Sequence, residues 1–156
     1  MTADALGAQR RRDALHHALG PVILAALAEA DVVEILANPD GRIVLDRTGR
    51  GREDTGHLMA SGARERVIRL VADHVGEPVL RDDPRLSGVL PSGERFQGFL
   101  PPVCAQPTFS IRKRPGVIWT LSDYVRDGVM RQADAETIAA AARERRNIGI
   151  SGGAGS

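Results

Sequence analysis

The stretch Leu90-Pro91-Ser92-Gly93-Glu94-Arg95-Phe96-Gln97-Gly98-Phe99-Leu100-Pro101-Pro102 lies between Pro78 and Pro115, where seven of the chain's nine prolines fall. Proline removes a backbone donor and clashes with the preceding helical turn, so helix is excluded here and short strands remain. Leu86 to Leu90 and Arg95 to Leu100 read as a hairpin about Pro91-Ser92-Gly93-Glu94. Pro101-Pro102 ends the second strand, and Thr108 to Arg112 forms the next.

Toward the N-terminus, Leu15, Leu19, Val22, Ile23 and Ala26 recur at helical steps, with Gly20-Pro21 interrupting and Pro21 placed to open a second helix. Val32 to Leu36 and Arg42 to Asp46 read as strands around Asn38-Pro39-Asp40-Gly41, where proline presets φ and glycine takes positive φ. Thr48 to Gly56 reads as a polar loop. Ser61 is the expected N-cap of a helix to Val75, with Val67, Leu70, Val71 and Val75 inward and Arg66, Arg69 and Asp73 outward. The expected class is α+β: N-terminal helices packed on a mostly antiparallel sheet.

Beyond Arg114-Pro115-Gly116, read as a linker, the pattern is helical again. Thr120-Leu121-Ser122-Asp123 resembles a capping box with Asp for Glu, and Asp134 is expected to cap a second helix ending at Arg143, Arg145 and Arg146. Asn147 to Ser151 reads as a short strand. So short a segment buries no core of its own and reads as the start of a further domain.

Composition narrows the function classes. The 156 residues carry 21 Lys+Arg against 20 Asp+Glu, a net charge of +1, without the basic excess of a nucleic-acid binder, so no direct nucleic-acid binding is expected. Aromatics at 3% leave little for base stacking. Cys104 is the single cysteine, so neither an intrachain disulfide nor a Cys-based zinc site can form. His16, His17, His57 and His74 show no ligand spacing. The start has no apolar signal region, and the longest apolar run, Val22 to Ala28, is far below the roughly 20 residues of a membrane span. A cytoplasmic protein is expected, with peripheral association at the inner membrane left open.

Two constellations carry chemistry. Gly152-Gly153-Ala154-Gly155-Ser156 matches the first five positions of the phosphate loop G-x-x-x-x-G-K-[ST], in which small residues let backbone N–H groups curl around phosphate oxygens. The simpler alternative is a Gly/Ser tail. Arg95 and Arg112 stand on neighbouring strands whose apolar residues alternate with polar ones, so each points off the core face. A planar, permanently charged guanidinium suits a phosphate clamp, whereas the plainer reading is two exposed strand arginines.

The order Asp31-Val-x-Glu-Ile-Leu-x-Asn38, then Leu90-Pro-x-Gly-x-Arg95 with Pro101-Pro102, then Thr108-x-x-Ile-Arg-Lys113, and finally Gly149-Ile-Ser-Gly-Gly-Ala-Gly-Ser156 resembles the type II/type IV secretion traffic ATPases, specifically the conjugal-transfer type known as TrbB. The resemblance implies an ATP- and Mg²⁺-dependent hexameric ring in an envelope-spanning secretion or conjugation machine. It further implies an N-terminal domain (1–113), a linker (114–119) and the incomplete start of a RecA-like ATPase domain (120–156), with Arg95 and Arg112 reaching the nucleotide phosphates. The sequence ends inside the phosphate loop, so the 156 residues alone are expected to be inactive, with no catalytic residue among them. The alternative is a stand-alone α+β interaction domain without catalysis.

Overall fold

The computed structural model describes residues 3–114 and 119–153. The elements in chain order are α1 (Ala3–Ala28), β1 (Val32–Ala37), β2 (Arg42–Arg47), β3 (Gly51–Leu58), α2 (Ser61–Val75), β4 (Arg85–Val89), β5 (Arg95–Phe99), β6 (Thr108–Arg112), α3 (Leu121–Arg126) and α4 (Gln132–Arg143). They fall into two compact units, Met1–Gly116 and Val117–Ser156.

In the first unit the strands form one six-stranded sheet in the order β3-β2-β1-β6-β5-β4, with every pairing antiparallel. Strand alternation sends Ile35, Ala37, Ile43, Leu45, Leu86, Phe96, Phe109 and Ile111 to one face, where all are buried. Leu15, Leu19, Ile23 and Ala26 of α1 and Val67, Ile68 and Val71 of α2 complete that core. Phe96 and Phe109 stack at 5.4 Å between ring centroids. Gly98 lets α2 approach β5: a Cβ there would lie 3.0 Å from Ile68 Cγ1 and 2.9 Å from Phe96 Cε1. The unit is thus α+β, and α1 breaks where the sequence predicts, at Gly20, with φ 74° ahead of Pro21.

The expected loop from Thr48 to Gly56 is instead mostly strand, since β3 runs from Gly51 to Leu58 on the free edge of β2. Alternation of apolar residues is missing because β3 touches no core; its ladder is reinforced by ion pairs from Arg42 to Asp54 at 2.9 Å and from Arg47 to Glu53 at 2.7 Å. Arg47 also binds Glu29 and Asp31, tying the end of α1 to the sheet. Ser61 is not the N-cap of α2: Ala60 holds that position without a side-chain bond, and the Ser61 hydroxyl donates to Gln106 Oε1 at 2.7 Å.

One charged side chain is buried on the inward face of α2. Arg64 is 2% exposed and donates from Nε to the Pro107 carbonyl at 2.6 Å, from Nη2 to Pro39 at 3.0 Å and from Nη1 to Met59. Gly41, at φ 95°, makes room for it: a Cβ there would come within 3.0 Å of the Met59 carbonyl and 3.1 Å of Arg64 Nη1. Burial pulls the Arg64 pKa down, yet a guanidinium remains charged and its N–H groups are taken up by the three carbonyls.

In the second unit the capping box forms: Asp123 N–H donates to Thr120 Oγ1 at 3.2 Å, and Thr120 N–H donates to Asp123 Oδ2 at 2.9 Å. Asp134 is not a cap. Arg131 occupies the N-cap of α4, and its guanidinium holds the Asp134 carboxylate at 2.8 and 3.0 Å within the first turn. Arg143 ends the helix, while Arg145 and Arg146 lie beyond it, Arg145 with φ 56°. Asn147 to Ser151 forms no strand. Extended backbone becomes a strand only against a ladder partner, and none pairs with it among the described residues; Ile150 is 94% exposed. Pro115 and Gly116 of the expected linker lie outside the described residues.

Replacing Arg64 with Leu should cost about 3–5 kcal/mol, because three carbonyls lose their donor inside the core. Arg69→Ala, on the exposed face of the same helix, should stay within about 0.5 kcal/mol. Urea unfolding of the two variants measures both; equal midpoints would show that the Arg64 contacts contribute nothing.

Candidate functional site

Alternation that buries one face of the sheet leaves its opposite face to the polar residues, and the registers set these in cross-strand rows. One row reads Arg52, Asp46, Glu34, Arg112, Arg95, Val89 from β3 to β4. The next reads Asp54, Val44, Leu36, Ser110, Gln97, Ser87. Over β1, β6, β5 and β4 the two rows line a depression of about 480 Å³ that includes Glu34, Ser87, Arg95, Gln97, Ser110 and Arg112.

Arg95 and Arg112 therefore lie directly opposite each other, both exposed. Like charges in that relation repel. Among the described residues neither guanidinium has a hydrogen-bond or ion-pair partner, whereas Arg42, Arg47, Arg69 and Arg85 are each paired to a carboxylate. Glu34 stands opposite Arg112 on its other side without closing an ion pair. A third cation is near: the Arg114 guanidinium carbon lies 3.6 Å from where a Cβ on Gly93, in the β4–β5 turn, would be. Two guanidinium forks on neighbouring strands, exposed and without a protein partner among the described residues, have the chemistry to bind an anion, and phosphate oxygens match the fork geometry.

The sequence-predicted arginines are thus brought together. Gly152 and Gly153 belong to the second unit, exposed and without regular secondary structure, and the strand expected before them is not formed. Ala154, Gly155 and Ser156 lie outside the described residues. Sequence reasoning missed Glu34 and Gln97 as companions of the arginine pair. The alternation around Arg95 held the signal for Gln97, but Glu34 joins only through the long-range pairing of β1 with β6. Among the described residues no group of three or more His, Cys, Asp or Glu could hold a metal ion, and no helix is long and apolar enough to cross a membrane.

No family model matches the chain. It is 47% identical over 143 residues to the probable conjugal transfer protein TrbB of Sinorhizobium fredii, and 43% identical over 143 residues to the conjugal transfer protein TrbB of Rhizobium radiobacter. Each match covers 91% of this chain and 44% of the relative, so the chain spans less than half the length of these relatives. In three dimensions it resembles the VirB11 ATPase from the Brucella suis type IV secretion system, solved in complex with sulphate, with a TM-score of 0.68 and 22% identity over 88% of this chain and 44% of the other. That likeness establishes the fold.

Neutralising Glu34 should strengthen anion binding at the arginine pair. A carboxylate ~7 Å from the anion in a water-like dielectric opposes it by about 0.6 kcal/mol, so Glu34→Gln should tighten inorganic pyrophosphate binding about two- to fivefold. Calorimetric titration at low salt measures it, and an unchanged affinity would remove Glu34 from the site.

Proposed function

This chain belongs to the TrbB-type secretion ATPase family, and from that premise we propose that the protein it forms hydrolyses ATP to drive conjugative transfer or type IV secretion. The observation that carries the reading is the opposed, unpartnered pair Arg95 and Arg112 in the depression on the open sheet face. In this proposal both arginines bind nucleotide phosphates, and Gly152 to Ser156 begin the phosphate loop. Residues 1–113 act as an N-terminal domain, 114–119 as a linker and 120–156 as the start of a RecA-like domain. The subunits form a hexameric ring, peripheral at the cytoplasmic side of the inner membrane, and work with other components of the machine.

The residues present fit part of a nucleotide site. Guanidinium forks suit polyphosphate, but the lysine and the Mg²⁺-binding hydroxyl of the phosphate-loop motif have no counterpart among the 156 residues. This chain would bind and orient phosphate without supplying the chemistry of hydrolysis. The purified 156-residue chain should accordingly show no steady-state ATP turnover above a contaminant control.

In the full-length protein, Arg95→Ala or Arg112→Ala should each cost about 1.5–3 kcal/mol, roughly ten- to a hundredfold in ATPase rate or nucleotide affinity. Lysine should rescue poorly because a point charge lacks the fork. Arg69→Ala, already paired to Glu65 on α2, serves as the near-neutral control. Wild-type behaviour in all three variants would show that the arginines are ordinary surface charges.

A further inference from the structure

The arginine pair occupies only one end of its depression. Two residues along each strand, about 6.7 Å further, the next row offers Ser87, Gln97 and Ser110 side by side. None of the three side chains has a hydrogen-bond partner among the described residues, and all three line the same depression as Arg95 and Arg112. Phe99 lies two residues beyond Gln97, on the same face by alternation and half-buried. Strand β5 thus presents on its open face a cation, then a neutral amide, then an aromatic ring.

That order matches the parts of one class of ligand. Polyphosphate needs cationic forks, a sugar needs groups that both donate and accept, and a base needs an amide edge and a flat apolar surface. Serine hydroxyls serve the second need, and a glutamine amide presents a donor beside an acceptor. Glutamine pairs in this way with the N6 and N7 atoms of adenine, an edge that uracil lacks. We infer that Gln97, flanked by Ser87 and Ser110, is the specificity-determining residue of the site and selects a purine nucleoside polyphosphate whose phosphates lie at Arg95 and Arg112 and whose base points toward Phe99. The inference rests on the phosphate role proposed for the two arginines.

Amide-resolved NMR titration of this chain at low salt, with ATP, UTP and inorganic tripolyphosphate as probes, separates the two claims. Tripolyphosphate should shift the amides around Arg95 and Arg112, and ATP should in addition shift those of Ser87, Gln97 and Ser110. Gln97→Met keeps the side-chain length on an exposed strand position and removes the amide. It should weaken ATP about tenfold, abolish the preference for ATP over UTP and leave tripolyphosphate within about twofold. Arg95→Ala should weaken ATP and tripolyphosphate alike. Ser110→Ala, a second variant on the same row, should also weaken ATP more than tripolyphosphate. If Gln97→Met and Ser110→Ala leave the ratio of ATP to tripolyphosphate affinity unchanged while Arg95→Ala weakens both, the nucleoside assignment is wrong and the phosphate site stands. If Arg95→Ala changes neither, the phosphate site falls and the nucleoside assignment with it.

Discussion

A single guanidinium inside the core organises the first unit. Arg64 reaches from α2 to the carbonyls of Pro39 in the β1–β2 turn, Met59 at the approach to α2, and Pro107 immediately before β6. These segments are far apart in sequence, and each has a carbonyl that backbone pairing leaves over. Satisfying all three with one side chain fixes where α2 starts and where β6 enters between β1 and β5. The opposition of Arg112 to Arg95 follows from that entry point, because a slip of one residue would send Arg112 to the core face.

The same geometry explains how one sheet carries two unlike faces. Two helices cover one side with aliphatic residues, over a stacked phenylalanine pair that β5 and β6 supply, while the described residues of the unit place no helix over the other. Like charges can face each other on that side because water screens them there. Placed on the inner face, the same pair would be untenable at the lower dielectric of the core. Repulsion between Arg95 and Arg112 is tolerable because the ladder beneath them is continuous from β3 to β4.

Much of this was legible in the sequence. Both proline-marked hairpins and the strand Thr108–Arg112 form where turn chemistry and alternation place them, as does the break at Gly20. Edge strand β3 was invisible because its residues pack on nothing and its stability comes from pairing with β2. The strand expected at Asn147–Ser151 failed for the opposite reason: its apolar residues fit a strand, but no neighbour pairs with it. Arg64 has no place in a reading of the helix by its apolar periodicity, although position 64 precedes Val67, Ile68 and Val71 on the inward stripe. Of the candidate site, the two arginines could be read from the strands that hold them. Glu34 could not, since its place beside Arg112 depends on a pairing across more than half the unit.

The choice of carbonyls as partners for Arg64 sets how the unit answers acid. A carbonyl does not titrate, so protons have no means of loosening that clamp. Two carboxylates with lowered pKa values lie elsewhere, beside Arg47 and Arg42. Asp31 is partly desolvated, which raises its pKa, but the bond and charge of Arg47 outweigh this and hold it low; Asp54 is held low by the Gly56 N–H and then by Arg42. A lowered carboxylate pKa contributes stability above the unfolded value and loses it as pH falls through the folded one. Acidification therefore loosens the ion pairs that Arg47 and Arg42 make with Asp31 and Asp54, while the Arg64 clamp holds no group that titrates with them.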